Sequence, residues 1–348
     1  MSREMDTLTL REKVGQLFIV RPESLEPAIR YASDAELPPY RLQAVSDGMR
    51  KRAQDYPVGG ILLYGHNILD ENQLRGFIRD LRALPGAPLL CIDEEGGRVS
   101  RLAANPAFDV PHYGSMAAVA AGGPQAAHDA AYSIGTYLRR YGFDIDFAPV
   151  ADVNTNPDNI VIGTRAFSDE PAVAAPLVAA YVRGLAETGV HGCLKHFPGH
   201  GDTRADTHFD FASSAKTWEQ MLACEMVTFR AGIAAGAPLV MAAHIAAPAV
   251  TGGDAPATLS RTMLTDKLRG ELGFDGIIIT DALEMGAITH RYGSGEAAVL
   301  ALEAGADFLL CPLDLCAAFD AVVAAVESGR IPEKRIDESL RRVLKIRN

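Results

Sequence analysis

The chain has 348 residues, of which 48% are hydrophobic and 22% are charged, and its formal net charge is −11. This composition is typical of a globular protein with a sizeable core, built as one large domain or two medium ones. The negative charge and the lack of a basic cluster argue against nucleic acid and anionic membranes as partners, because both are bound through phosphate neutralisation.

The first residues, 1–6, are not followed by the apolar segment of a signal peptide. No apolar run reaches the roughly 18 residues of a membrane span. We therefore expect a cytoplasmic protein, or one whose leader was removed. The five cysteines form no C-x-x-C pair and lie mostly in apolar runs, which predicts buried free thiols.

Short apolar runs alternate with helical patterns along the chain. The eight runs lie at residues 17–20, 58–64, 89–92, 143–148, 192–195, 239–244, 276–281 and 307–310. One helix starts at Leu10, and the others are predicted at residues 42–52, 71–83, 125–141, 172–188, 218–235, 263–271, 296–304, 315–328 and 333–346. This alternation predicts a parallel sheet, and eight units predict a (β/α)8 TIM-type barrel. We expect a single catalytic domain over residues 1–348, with the helix at 333–346 packed on the barrel.

A doubly wound open sheet is the alternative architecture, but no Gly-x-Gly-x-x-Gly motif follows the first strand. In a barrel, functional groups lie on the loops after the strands. Polar residues come at or just after five predicted strand ends, namely Asp93, Asn154, Lys195, His244 and Asp281. We expect no cofactor, because the sequence carries no P-loop and no other cofactor motif.

The densest polar stretch covers residues 194–208 and reads LKHFPGHGDTRADTH. Its proline and glycines cannot continue a helix or a regular strand, which predicts a loop. Asp206 and His208 are two residues apart, and this spacing places them on the same side of an extended backbone. A carboxylate beside an imidazole suits a general acid/base. A solvated loop without a role is the plainer alternative.

A metal site is a second and more specific alternative for the same stretch. Zinc accepts the ligand types found there, at His196, His200, Asp202 and His208. However, Pro198 and Gly199 interrupt the helix on which an i, i+4 histidine pair would be useful. We therefore favour a site without a metal.

The clustered carboxylates, imidazoles and cations suit acid/base chemistry on a neutral, hydroxyl-rich substrate. Glycoside hydrolysis needs one carboxylate beneath the anomeric carbon and a proton donor for the leaving oxygen. Asp281 ends the most apolar run of the chain, which predicts a dry and fixed environment. Alternatively, Asp281 has a purely structural role and caps the N-terminus of a helical turn over residues 282–285.

Five motifs occur in a recognisable order over residues 8–344. The most specific is KHFPGHGDT at 195–203, followed by Asp206-x-His208, and the others are DEEGGRV at 93–99 with Arg101, FAPVADVN at 147–154, IGTRAF at 162–167 and TDALEM at 280–285. With these motifs, the sequence resembles the bacterial β-N-acetylglucosaminidase branch of glycoside hydrolase family 3. Glu94, Thr207 and Ala282 depart from the family pattern, which commonly has Gln, Ser and Asp there.

The resemblance implies a covalent glycosyl-enzyme on Asp281 and an acid/base His208 oriented by Asp206. It also implies that the sugar is held by Asp93, Arg101, Arg165, Lys195 and His196. The implied activity is retaining, exo-acting hydrolysis of terminal β-linked N-acetylglucosamine, with cell-wall fragments of peptidoglycan recycling as substrates. We expect a small carbohydrate substrate, a monomer or weak homo-oligomer, and no second family 3 domain.

Three alternatives stay open at this point. A neutral imidazole repels an anionic acceptor little, so phosphate could replace water and give a phosphorylase. A β-glucosidase-like hydrolase of other sugars is the second. A sugar-binding protein without activity is the third, although neither the nucleophile nor the acid/base is missing from the sequence.

Overall fold

The computed structural model of the protein describes residues 7–29, 41–203 and 212–347. Within these ranges the chain forms ten strands, which are β1 (Phe18–Val20), β2 (Gly60–Leu63), β3 (Leu89–Ile92), β4 (Ile145–Asp146), β5 (His191–Phe197), β6 (Ala212–Ser213), β7 (Leu239–Ala242), β8 (Ile245–Ala246), β9 (Ile277–Thr280) and β10 (Leu309–Leu310). Eight of them form one sheet in the order β10-β1-β2-β3-β4-β5-β7-β9, and β6 pairs with β8 separately.

All pairings within the large sheet are parallel, and the sheet closes on itself. Phe18 pairs with Leu309 at one side of β10. At the other side, Ile279 forms a parallel bridge with Phe308, the residue that leads into β10. This closure confirms the predicted (β/α)8 barrel.

Helices surround the sheet. The α-helices of the described ranges are α1 (Leu10–Gly15), α2 (Asp47–Asp55), α3 (Glu71–Arg82), α4 (Met116–Ala120), α5 (Gly123–Tyr141), α6 (Pro171–Ala186), α7 (Trp218–Ala223), α8 (Glu225–Ala234), α9 (Pro248–Thr251), α10 (Gly286–Thr289), α11 (Ser294–Ala304), α12 (Leu315–Glu327) and α13 (Glu333–Lys345). Short 3-10 helices occur at Pro22–Leu25, Gly65–Asn67, Gly163–Arg165 and Ala257–Leu259, and a π-helix occurs at Thr262–Glu271. None of these helices combines the length and apolar character needed to cross a bilayer.

The barrel strands are buried on both faces, which explains why their sequences are apolar without alternation. All four residues of β9 are buried, and so are all four of β2. Helices cover the outer face: Phe229 of α8 packs edge-on against Phe197 of β5, with ring centroids 5.6 Å apart. The core therefore forms at the strand–helix boundary and inside the barrel, and the strand ends remain available for polar groups.

Some predicted elements differ from the structure. The helix predicted at 218–235 is two helices, α7 and α8, because Cys224 leaves the helical region with φ −128° and ψ −85°. The element predicted at 263–271 is a π-helix, in which the amide of Leu272 bonds to the carbonyl of Lys267. The helix predicted at 42–52 begins later, at Asp47. The β6–β8 pair was not predicted.

The last helix is tied to the barrel by polar contacts. Lys13 of α1 binds Glu333 at 2.8 Å and Asp337 at 2.9 Å, both on α13. Ser339 of α13 donates to Asp307 at 2.6 Å, just before β10. All cysteines are free thiols: three are buried, while Cys224 and Cys316 are half-buried, so the prediction of buried thiols holds for three of the five.

Candidate active site

A cavity of about 370 Å³ lies at the carboxyl ends of the barrel strands. Six of the site residues predicted from the sequence line it, namely Asp93, Arg101, Arg165, Lys195, His196 and Asp281. The other two, Asp206 and His208, lie outside the described residues. The barrel therefore collects side chains that are separated by up to nearly two hundred positions in the chain.

Asp281 stands directly after β9 and faces this cavity. Its backbone amide bonds to the carbonyl of Ala242 at 2.8 Å, so its position is fixed by β7. Burial by itself raises the pKa of Asp281, but nearby His244 and His196, together with the amide of Ala282, outweigh burial and lower it. The carboxyl group is therefore ionised near neutral pH.

The alternative interpretation of Asp281 as a helix N-cap does not fit the structure. Its Oδ1 accepts the amide of the next residue, Ala282, at 2.8 Å, whereas a capping side chain accepts from two or three residues further on. The helix that follows is α10, whose N-cap position is held by Met285. His244 supports this turn, since its Nε2 lies 2.9 Å from the carbonyl oxygen of Ala282.

Lys195 occupies the centre of a buried network of charges. Its Nζ lies 2.8 Å from Oδ1 of Asp93 and 2.6 Å from Oε1 of Glu95. Arg165 binds the same Glu95 with two parallel bonds of 2.7 and 2.8 Å, the bidentate geometry that guanidinium and carboxylate favour. Arg101 approaches Asp93 from another side at 3.7 Å. Strand ends of β3 and β5 and the Gly163–Arg165 turn thus meet at this network.

These contacts fix the charges of the network. Burial raises the pKa of Glu95, but Lys195 and Arg165 outweigh burial and hold it well below its ordinary value. Burial alone lowers the pKa of Lys195, while Asp93 and Glu95 raise it above the ordinary value. The network therefore presents fixed cationic donors and anionic acceptors.

His196 is oriented by a buried carboxylate that follows β4. Its Nδ1 lies 2.7 Å from Oδ2 of Asp152, and the amide of His200 donates to Oδ1 of the same carboxylate at 2.6 Å. An Nδ1–H held by a carboxylate leaves Nε2 of His196 as an acceptor. Arg165 approaches that Nε2 at 3.4 Å. Asp152 thereby fixes both the orientation of the His196 ring and the position of His200, where the loop after β5 begins.

Glu94 fixes the loop that carries Arg101. Its fully buried carboxylate accepts the backbone amide of Arg101, the amide of Leu102 at 2.9 Å and the amide of Ala103 at 2.8 Å. The hydroxyl of Tyr137 on α5 donates to it at 2.9 Å. Because all four partners are donors, this position suits a carboxylate, which only accepts.

One wall of the cavity was not predicted from the sequence. Arg21, directly after β1, forms a buried ion pair with Glu284. The Arg21 guanidinium lies 5.6 Å from the ring centre of Tyr64, and Arg101 lies 5.7 Å from the same ring. All of these residues follow barrel strands, so the strand-end rule could have found them.

Of the four residues that the alternative metal site would use, His208 lies outside the described residues, and the other three have partners of their own. His196 is engaged with Asp152, and Nδ1 of His200 lies 2.6 Å from Oγ1 of Thr203. Oδ1 of Asp202 accepts from Thr155 at 3.0 Å, on the side of the β4 loop. No group of three or more His, Cys, Asp or Glu side chains within residues 7–29, 41–203 and 212–347 is arranged to hold a metal ion.

Comparison with known proteins agrees with this architecture. Residues 9–346 match the family model of the glycosyl hydrolase family 3 N terminal domain. A beta-hexosaminidase of Stenotrophomonas maltophilia (strain K279a) is 40% identical over 259 residues, covering 73% of this chain and 76% of that protein.

Solved structures show the same fold. A family 3 beta-N-acetylglucosaminidase from Paenibacillus sp. str. FPU-7 is 41% identical with a TM-score of 0.87, and the match covers 98% of this chain but 62% of that one. A family 3 glycosyl hydrolase from Mycobacterium smegmatis str. MC2 155 is 31% identical with a TM-score of 0.80, covering 98% of this chain and 97% of that one.

The barrel, its carboxylate-lined cavity and these matches define a glycoside hydrolase. The chain belongs to glycoside hydrolase family 3, as the motifs in its sequence indicated.

Proposed function

We propose that this enzyme is a retaining exo-β-N-acetylglucosaminidase, which removes terminal β-linked N-acetylglucosamine. Relatives named beta-hexosaminidase and beta-N-acetylglucosaminidase support this substrate. A cavity of about 370 Å³ supports exo action, because it lies at the low end of small-molecule sites, about 300–1,000 Å³, and suits one terminal sugar.

The charges around the cavity support a neutral, hydroxyl-rich ligand. Four cations line the cavity, Arg21, Arg101, Arg165 and Lys195, and so do four carboxylates, Asp93, Glu95, Asp281 and Glu284. A paired set of this kind offers donors and acceptors to hydroxyl groups without demanding a charged ligand. Asp93, Arg101, Arg165, Lys195 and His196 hold the sugar in this proposal.

The observation that carries the proposal is the placement of Asp281. Its ionised carboxylate stands at the end of a buried strand, beside His196 and in the same cavity as the charge network. There it acts as the nucleophile that displaces the leaving oxygen and forms a covalent glycosyl-enzyme. Its low pKa keeps it unprotonated while the acid/base group carries the proton.

The acid/base role is assigned to His208, with Asp206 as its orienting carboxylate, from their spacing and motif in the sequence. Protonated His208 gives its proton to the leaving oxygen as Asp281 attacks. The resulting neutral imidazole then takes a proton from water, whose oxygen attacks the anomeric carbon and releases Asp281. Two displacements return the β configuration.

We further propose that the natural substrate is a cell-wall fragment with a non-reducing β-linked N-acetylglucosamine. Digestion of purified fragments tests this, with mass spectrometry of the released sugar. Release of N-acetylglucosamine from such fragments at a rate comparable with an aryl glycoside is the expected result.

The reaction is tested with an aryl N-acetyl-β-glucosaminide followed by proton NMR. We expect the β anomer to form first, and Asp281→Ala to lose nearly all turnover. Asp275→Asn is the matched control, because this exposed carboxylate lies just before the same strand, at its other end. First formation of the α anomer, or near-normal turnover of Asp281→Ala, overturns the assignment. Appearance of a sugar 1-phosphate in phosphate buffer identifies a phosphorylase instead.

A further inference from the structure

A second cavity, of about 680 Å³, lies at the opposite end of the barrel. It is bounded by the π-helix Thr262–Glu271, by α11 and by α13. Arg269 of the π-helix reaches the carbonyls of Phe274 and Gly276, just before β9. The cavity is thus at the amino ends of β9 and β10, whereas Asp281 follows the carboxyl end of β9.

Arginines are concentrated at this cavity although the whole chain is acidic. Five arginines line it, namely Arg261, Arg269, Arg330, Arg335 and Arg342, against two glutamates, Glu303 and Glu338. The formal net charge of the chain is −11. A concentration of guanidinium groups in such a chain is a local feature that the overall composition does not explain.

Three of these arginines converge on one carboxylate. Asp307 is fully buried and is bound by Arg269, by Arg342 at 3.0 Å and by Arg335 at 3.6 Å. Its remaining acceptor capacity is used by Ser339 at 2.6 Å and by the amide of Ile278 at 3.0 Å. Asp307 is thus bound directly by all three guanidinium groups, while Glu338 acts on Arg335 and Asp275 acts on Arg269, and these two carboxylates offset part of the remaining charge.

Burial and mutual repulsion disfavour the charged form of these arginines. Burial, together with Arg342 and Arg335, lowers the pKa of Arg269 to about 10, although Asp307 and Asp275 oppose this shift. Burial likewise lowers the pKa of Arg335, and the neighbouring Arg342 adds to this effect. An anion placed in the cavity would relieve both the desolvation and the mutual repulsion.

The rim supplies two further guanidinium groups. Arg261 is exposed and forms no ion pair with any residue in the part of the chain described above. Arg330 is shared between Glu303 at 2.8 Å and Glu296 at 3.0 Å, and its side chain is 41% exposed. Arg261 can turn toward a ligand directly, whereas Arg330 must first give up hydrogen bonds to one of its two glutamates.

We propose that this arginine cavity is a binding site for a polyvalent oxyanion, either inorganic phosphate or a phosphomonoester. Guanidinium groups bind phosphate oxygens with paired hydrogen bonds, and several around one cavity favour a multiply charged anion over a single carboxylate. This site is separate from the proposed glycosidase site. The three steps between the four residues of β9, at about 3.3 Å each, place its two end residues about 10 Å apart.

A bound anion stabilises the fold and does not compete with the sugar. It bridges the π-helix and α13, whose arginines Arg269, Arg335 and Arg342 otherwise repel one another. Ligands that bind only the folded state raise its stability with the logarithm of their concentration. Phosphate should therefore raise the Tm at constant ionic strength without changing the KM for an aryl glycoside.

The test uses isothermal titration calorimetry and thermal unfolding with sodium phosphate, against sodium chloride at matched ionic strength. The double variant Arg261→Gln/Arg330→Gln should weaken phosphate binding about tenfold or more. Both positions are at the rim, so folding is expected to be retained and is checked by circular dichroism. The control, Arg79→Gln/Arg291→Gln, removes two exposed arginines that pair with Asp80 and Asp254 elsewhere.

Two results overturn the proposal. The first is a wild-type protein that gives no saturable phosphate binding beyond the chloride background. The second is an arginine double variant that binds phosphate as tightly as the wild type and the control, which would place the anion elsewhere, for example in the cavity at Asp281. Glucose 6-phosphate in a parallel titration distinguishes a phosphomonoester from free phosphate as the preferred form.

Discussion

The Nζ atom of Lys195 lies 2.6 Å from Oε1 of Glu95, and both side chains are nearly inaccessible to solvent. Arg165 holds the other edge of the same carboxylate. Glu95 therefore balances two buried cations that line the proposed sugar site. This makes a residue outside the predicted set central to the site.

The substitution Glu95→Gln is expected to destabilise the fold by about 3–5 kcal/mol, because it leaves buried cations without their countercharge. It should also lower kcat/KM, since Lys195 and Arg165 would lose their fixed positions. Urea unfolding and steady-state kinetics measure the two effects. Glu187→Gln, an exposed carboxylate beside His128, is the control and should change stability by less than about 1 kcal/mol. Equal losses of unfolding free energy in the two variants would show that the buried ion pairs of Glu95 stabilise the fold no more than an exposed pair does.

Acid should unfold the protein through its buried carboxylates. Burial raises the pKa of Glu95 and of Asp152, but their cationic and imidazole partners outweigh burial and lower both. A folded-state pKa below the unfolded value gives stability that is present above the ordinary carboxyl range, about 4, and is lost as pH falls through the lowered values. Urea unfolding from about pH 7 to about pH 3 should show this loss, with a shallower slope for Glu95→Gln. An identical pH dependence of the free energy of unfolding in the wild type and in Glu95→Gln would show that Glu95 does not contribute to acid unfolding.

The substitution Glu94→Gln places an amide among four donors. Its NH₂ group cannot accept, so at least one of the amides at Arg101, Leu102 and Ala103 or the hydroxyl of Tyr137 loses its partner. We expect a stability loss of about 1–3 kcal/mol. The KM should rise more than kcat falls, because the displaced group is Arg101, which our proposal places on the sugar.

The control for Glu94 is Glu71→Gln, which alters an exposed carboxylate paired with Arg75 and Arg140. It should leave KM unchanged and stability nearly so. A Glu94→Gln enzyme with normal KM and normal stability would mean that the four donors tolerate an amide at this position.

Gly201 cannot carry a side chain without moving the backbone beside it. A Cβ at this position would lie 1.9 Å from the carbonyl oxygen of Val153 and 3.0 Å from Cα of Asn154. Because residue 201 leads toward the proposed acid/base, Gly201→Ala should lower kcat on the order of a hundredfold through misplacement. Gly76→Ala is the contrast: it meets nothing within 4 Å inside α3 and should stabilise the fold by about 0.5–1 kcal/mol.

The barrel could be predicted because each of its strands is a short apolar run, and helical patterns separate the runs. The site followed from the same logic, since Asp93, Lys195 and Asp281 come at strand ends. One detail was wrong: β5 runs from His191 to Phe197, beyond the predicted run at 192–195, so His196 and Phe197 belong to the strand and not to the loop. The apolar pattern ends at Leu194, whereas the backbone pairing continues.

Partnerships between distant residues could not be predicted in this way. Glu95 stands in the DEEGGRV motif, but its contacts with Lys195 and Arg165 depend on how the loop after β3 meets β5 and the 3-10 helix Gly163–Arg165. The Arg21–Glu284 pair joins residues from opposite ends of the chain. Periodicity identifies which face of an element is buried, and it does not identify which charge on another strand will be the neighbour.

Lys195, Arg165, Asp93 and Glu95 already restrain one another before any saccharide arrives. Most of the conformational entropy of these long side chains was therefore lost when the chain folded, and little remains to be lost on complex formation. Ligand affinity at this cavity should consequently fall in distinct steps when single sugar hydroxyls are removed. A series of deoxy sugars would thus map the rigid part of the pocket one oxygen at a time.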